Sequence, residues 1–191
     1  MARQKNEEKR QAILRAAADV IAKQGLGAPT ASIAKAAGVA DGTLFIYFPT
    51  KADLFDQLYR SIKEEMIAGV QAQLPANADL KTQFLHIWTA WTGWGVQQPA
   101  LRKALAQLSA SDLVTATTRQ ATVDLAADLL AIIATVSATG ALKDAPAEFV
   151  GALVEAMATI TMDSMAHEPE HADARCAHGF AAVWNALSKG M

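Results

Sequence analysis

Two breaks in a helix-favouring run, Gly38 and Pro49, leave room between them for a helix of about two turns and no more. Glycine at 38 supplies the left-handed backbone that ends one helix and reverses the chain, and proline at 49 cannot continue the next. Upstream, Ile33-Ala34-Lys35-Ala36-Ala37 reads as another short helix, terminated by Gly38. The segment after the turn, Gly42-Thr43-Leu44-Phe45-Ile46-Tyr47-Phe48, mixes polar and aromatic groups. Two short helices about a glycine turn are the helix-turn-helix arrangement, whose second helix enters a DNA groove.

The remainder predicts an all-α chain. Ala, Leu, Gln, Lys and Glu dominate and alternation of period two is nearly absent. About nine helices are expected. The first covers roughly 6–23, with Ile13, Ala16, Ala17, Val20 and Ile21 on one stripe, and stops at Gly25-Leu26-Gly27. Thr30 is expected to cap the second, and the third spans Asp41 to Tyr47. Thr50 with Asp53 three residues on resembles a capping box for a long fourth helix. A fifth runs over roughly 80–97 and Pro99 opens a sixth. One long helix from Ser111-Asp112 to near Gly140 is next, Pro146 opens another, and the last follows Pro169. The first boundary therefore lies near residue 50, separating a DNA-binding segment, 1–50, from 51–191.

The net charge of -2 hides an asymmetry: residues 1–60 hold nine Lys/Arg against six Asp/Glu. Basic character is confined to the end that carries the turn motif. Of 191 residues 52% are hydrophobic, which excludes a disordered chain. A signal-type apolar run is not seen, and neither is a run of about 18 uncharged apolar residues, so no membrane partner and a cytoplasmic location are expected. The one cysteine, Cys176, excludes an internal disulfide.

Ile13-Leu14, Ala16-Ala17, the Gly25 turn, Ile33-Ala34, Ala37-Gly38-Val39, Gly42-Thr43-Leu44-Phe45, Tyr47-Phe48 and Lys51 together resemble the TetR/AcrR repressors over roughly 8–59. The resemblance implies a homodimeric regulator that binds a double-stranded palindromic operator, and a ligand that tilts the fourth helix to change the spacing of two DNA units. It also implies DNA contacts in the region Thr30, Ala31, Asp41, Gly42, Thr43, Ile46, Tyr47 and Lys51. The residues divide the labour. Leu44 and Phe48, four apart, face the core. Lys51 at a helix N-terminus is expected to hold a phosphate, and the Thr43 and Tyr47 hydroxyls can donate to phosphates, with rim packing an equal alternative for Tyr47. Ile46 can touch a thymine methyl. Asp41 either accepts from a cytosine amine or caps the third helix, and the cap is the favoured reading because Ala40 cannot serve. The basic arm Arg3–Arg10 is either a minor-groove contact or a solubilising tail.

In the second segment Phe84, Trp88 and Trp91 recur at helical spacing with His86, Thr89 and Thr92 interleaved. Such a stripe is either core or the wall of a pocket for a small apolar or aromatic effector, which Tyr59 and Met66 would complete. Gly93 and Gly95 suggest close approach of a bulky group. Apolar residues on the last two helices, among them Phe149, Ile160, Phe180 and Trp184, exceed what one copy covers, so a homodimer through those helices is expected. His167, His171, Cys176 and His178 suggest a metal-responsive alternative, although their spacing matches no established ligand pattern; a DNA binder without any ligand is the other. Neither a catalytic set nor a cofactor-binding motif is present in the sequence, so no enzyme is expected.

Overall fold

A computed structural model describes residues 2–188, with side chains from Asn6 onward. Ten α-helices and one short 3₁₀ turn occur in the described residues, and no strand. They are α1 (Ala2–Gln24), α2 (Thr30–Ala36), α3 (Asp41–Tyr47), α4 (Lys51–Gln71), α5 (Leu80–Gln97), α6 (Pro99–Ser109), α7 (Ala116–Leu125), α8 (Ala127–Ser137), α9 (Ala147–His167) and α10 (Ala172–Leu187), with the 3₁₀ turn at Pro169–His171. The chain divides into two compact units, residues 1–65 with 98–124, and residues 66–97 with 125–191. These are packing units; α4 contributes its first part to one and its last turns to the other.

In the first unit α1 packs on α2 and α6, and α2 on α3. Ile13, Leu14, Ala17, Ala18 and Ile21 of α1 are buried together with Leu101, Ala104 and Leu108 of α6, the three- and four-residue spacing of a helix stripe. The Gln107 amide donates to the Ile21 carbonyl at 3.2 Å, and Gly25 N–H donates to the same carbonyl at 2.8 Å, so the end of α1 is satisfied from two directions. Gly25 takes a φ of 78°, which only glycine adopts cheaply. The Asp56 carboxylate accepts from Thr115 N–H (2.8 Å) and the Thr118 hydroxyl (2.6 Å), tying α4 to the start of α7.

The second unit packs α5 against α8, α9 and α10, and α9 against α10. Asp79 starts α5 by accepting from Thr82 N–H at 2.8 Å, and these hydrogen bonds hold its carboxyl below the usual carboxylate range. The core gathers Phe84, Trp88, Val136, Val154, Met162, Phe180, Val183 and Leu187. By length and mean hydropathy α9 is apolar enough to cross a membrane, although Glu155 and Asp163 interrupt it, so the expectation of no uncharged run of that length stands. In this fold its Val150, Val154, Ala158, Met162 and Met165 stripe is buried within the unit.

Two local expectations are corrected. The single long helix over roughly 112–140 is two helices interrupted at Ala126, whose φ of -90° and ψ of 5° leave the helical range without a proline or glycine to announce it. The first of them starts later than Asp112, where the Thr115 hydroxyl accepts from Thr118 N–H at 3.1 Å. Thr30 does not cap α2: it is already the first helical residue, Pro29 precedes it in extended backbone, and no side chain bonds the first turn.

Candidate nucleic-acid interface

The turn between α2 and α3 is built by backbone hydrogen bonds that need Gly38. Val39 N–H donates to the Ala34 carbonyl (3.0 Å) and Gly38 N–H to the Lys35 carbonyl (3.2 Å), the paired long and short bonds of a Schellman ending. Gly38 has a φ of 68°, and the chain leaves it at an angle that a side-chain-bearing residue would resist. Ala40 then occupies the N-cap position of α3 with no side-chain hydrogen bond. Asp41 is therefore not the cap: it is the first helical residue, exposed, and stabilises the helix start only through its charge.

The two faces of α3 differ sharply. Leu44 and Phe48 are both 0% exposed, with Ile33 of α2 also at 0%; truncating such side chains costs about 2–5 kcal/mol. Phe48 lies beneath the Arg10 guanidinium at 5.8 Å, and Arg10 donates to Gln57 at 2.7 Å, which orients that cation over the ring. On the outer face Phe45 is 44% and Ile46 79% exposed. Gly42 and Ala31 are exposed and Thr43 is half-buried. Tyr47 donates its hydroxyl proton to the Asn6 side-chain carbonyl of α1. A phenol has one proton to give, so a Tyr47 that also served a phosphate would first surrender this bond.

Thr50 and Asp53 form the expected box: Asp53 N–H donates to the Thr50 hydroxyl and Thr50 N–H to the Asp53 carboxylate, both at 3.0 Å. This sets the start of α4 and places Lys51 in its first turn, with the ammonium 5.3 Å over the Phe55 ring. Of the arm Arg3–Arg10, the side chains of Arg3 and Lys5 lie outside the described residues, and Arg10 is engaged with Phe48 and Gln57. Arg10 closes the basic arm Arg3–Arg10 already expected from the sequence, whereas Asn6, as the partner of Tyr47, and Phe45, as an exposed groove residue, were not singled out. Phe45 was legible, since it sits one residue from the inward Leu44 and hence about 100° around the helix; Asn6 carried no local signal.

The aromatic stripe of α5 is mostly interior. Phe84 (1%), Trp88 (0%) and Thr92 (0%) are closed off. The Trp88 indole N–H donates to the Cys176 carbonyl at 3.1 Å, and the Thr92 hydroxyl donates to the Trp88 carbonyl at 2.8 Å. Phe84 meets Phe180 and Trp184 at ring-centroid distances of 6.0 and 6.2 Å. Trp91 is half-buried against this cluster, and His86, also half-buried, lies 2.9 Å from the Val70 carbonyl. Met66 is buried outside the cluster, and Tyr59 belongs to the first unit, where the Arg119 guanidinium lies 5.6 Å over its ring. Gly93 meets no bulky group, since a Cβ there would have nothing within 4 Å.

The metal alternative finds no support among the described residues. No group of three His, Cys, Asp or Glu among the described residues is placed to hold an ion. Cys176 is buried with its sulfur 3.5 Å from the Thr92 hydroxyl, whereas His178, two residues along the same helix, is exposed. Glu168 is taken by Arg175.

Residues 13–58 match the model of the bacterial regulatory proteins of the tetR family. The solved structure of a TetR family transcription regulator from Shewanella sp. PV-4 is 30% identical, covering 95% of this chain and 99% of that one with a TM-score of 0.83. A TetR family regulator from Marinobacter aquaeolei VT8 has the same fold, with a TM-score of 0.83 at 22% identity over 98% of this chain and 100% of that one. Among curated proteins, nucleoid occlusion factor SlmA of Marinomonas sp. (strain MWYL1) is 28% identical over 106 residues, 55% of this chain and 53% of that protein. The fatty acid metabolism regulator protein of Bacillus subtilis (strain 168) is 37% identical over 70 residues, 36% of each. The chain thus spans about half, or less, of the length of these curated relatives.

Proposed function

This chain belongs to the TetR family of bacterial regulatory proteins, and from that premise we propose that it is a repressor which binds a palindromic operator as a homodimer and is released by a small apolar or aromatic effector. Family members are DNA-binding transcription regulators rather than enzymes. The observation that carries the DNA part is the two-faced α3: Leu44 and Phe48 anchor it inward while Phe45 and Ile46 stand in solvent beside a Schellman-terminated α2. Residues 1–50 serve as the DNA-binding segment and 51–191 as the effector and dimerisation segment. Thr43 and Lys51 contact phosphates, Thr30, Ala31, Asp41 and Gly42 line the groove, and Tyr47 holds the α1–α3 corner until DNA competes for its proton. The compartment is the cytoplasm, where the operator is.

Dimerisation through α9 and α10 is supported by what one copy leaves uncovered. Phe149 (55%) and Ile160 (70%), three turns apart on one face of α9, are exposed with Ala152 and Ala156 between them. On α10 Ala174, Ala177, Ala181 and Ala182 are exposed beside Asp173, His178 and Asn185, and the alanines are small enough for close helix approach. A two-fold dimer gives two copies of α3 for half-sites about 34 Å apart. Sedimentation with a selected duplex tests this: two chains per duplex are expected, and Ile160→Glu gives monomers with weakened operator binding. One chain per duplex, or dimers unaffected by that variant, would refute the arrangement.

The effector reading rests on the aromatic content of the second unit. Phe84, Trp88 and Thr92 are filled by protein, so an effector using them displaces Phe180 or Trp184 and binds a minor, opened state; His86, Trp91 and Met66 are the residues at its margin. Apolar and aromatic compounds are screened by thermal shift, and hits are tested for release of the duplex. A panel that leaves duplex affinity unchanged removes the effector from the proposal.

A further inference from the structure

We infer that Phe45 and Ile46 form the base-reading head of α3 and that they recognise thymine through its C5-methyl group, so that a half-site is specified by its pattern of methyls rather than by hydrogen-bond donors. This rests on the DNA-binding reading above and names what that surface selects.

The inference follows from the inventory of the exposed surface. Base edges in the major groove are distinguished by donors, acceptors and one apolar group, the thymine methyl. The hydrogen-bonding candidates on this surface are few. Tyr47 has given its single proton to Asn6. Gly42 and Ala31 have no polar side chain to offer, and Thr30, the first residue of α2, is half-buried with a short reach. Asp41 carries a charge that the phosphates repel, and Thr43 is half-buried with a short reach. By contrast Ile46 is 79% and Phe45 44% exposed, adjacent on a seven-residue helix whose inward Leu44, like Phe48 at its C-cap, is fully buried. An apolar pair in that position distinguishes T·A from C·G by the methyl, and T·A from A·T by the strand on which the methyl stands. Transfer of one methyl from water onto this pair changes affinity about fourfold.

The test starts by selecting duplexes from a randomised library with the full chain. Each dT of the selected half-site is then replaced by dU, which deletes only the C5-methyl, and binding is measured by fluorescence anisotropy at constant salt. Loss of about fourfold per contacted methyl is expected. In Ile46→Ala, a variant whose exposed site carries no folding burden, the dU and dT duplexes converge at the positions Ile46 contacts; Phe45→Ala does the same at its own positions. Selected duplexes that bind equally with dU and dT overturn the methyl reading and leave DNA binding standing. Equal dU losses in wild type and both variants overturn the assignment to these side chains. A library that yields no enriched duplex overturns the DNA-binding reading and this inference with it.

Discussion

Replacing Gly179 with alanine is expected to destabilise the protein, and replacing Gly93 with alanine to stabilise it, although both glycines lie inside helices. In a helix interior glycine is less favourable than alanine by about 1 kcal/mol, so propensity predicts a gain at both positions. At Gly93 nothing opposes that gain, because a Cβ would find no atom within 4 Å. At Gly179 the Cβ would stand 2.8 Å from Thr161 Cγ2 and 2.8 Å from Trp88 Cζ2, with Thr161 Oγ1 nearer still. Neither neighbour yields easily. Trp88 is 0% exposed and its N–H is held by the Cys176 carbonyl, while the Thr161 hydroxyl donates to the Met157 carbonyl at 2.8 Å. Overpacking a tight core costs about 1–3 kcal/mol, and two stiff neighbours place this site at the upper end, for a net loss of about 2 kcal/mol. For a chain of this size that lowers the thermal midpoint by about 4–8 °C, against a rise of about 2–4 °C for Gly93→Ala. Thermal and urea denaturation followed by circular dichroism measure both. A Gly179→Ala protein as stable as wild type would show that α5 and α10 are not in the close register described, and with it the closure around Trp88 would fall.

Lys51→Ala is expected to weaken binding to all duplexes about equally and to reduce the slope of log affinity against log salt by about one; an unchanged slope would place Lys51 off the DNA. Thr50→Ala and Asp53→Ala each remove part of the box that starts α4 and are expected to cost about 1 kcal/mol, with the double variant costing less than the sum; strict additivity would mean the two side chains do not act together. Hydrogen bonding from Arg175 holds the Glu168 carboxyl below its usual range, with partial burial opposing and the charges of Arg175, His171 and His167 assisting. Because the folded value is depressed, the contribution of this pair is present above the ordinary carboxylate range and fades as pH falls through the folded value. The pair is partly solvent-exposed, so the effect on stability is small. An NMR titration should find Glu168 returned toward the ordinary range in Arg175→Ala, and an unmoved Glu168 titration would remove Arg175 as the cause.

The Schellman glycine at 38, the glycine turn at 25, the Thr50–Asp53 box and the inward pair Leu44 and Phe48 were all readable in the amino-acid order. Each rests on interactions that reach no further than four or five residues along the chain, where residue type alone settles the geometry. Other features turned on partners far away. Tyr47 is bound by Asn6, 41 residues earlier, and Trp88 by the carbonyl of Cys176, 88 residues later. The aromatic stripe of α5 had two readings of equal standing by spacing, and Phe180, Trp184 and Gly179 decided that its centre is packed interior. The interruption at Ala126 carried no breaker residue at all. Sequence by itself therefore determined where this chain turns and which side of α3 faces inward, because backbone conformation and helical periodicity are local. Which hydroxyls are already spent, which rings are enclosed and which glycine has room beside it were decided only by tertiary structure, because those depend on atoms that packing brings together from distant parts of the chain.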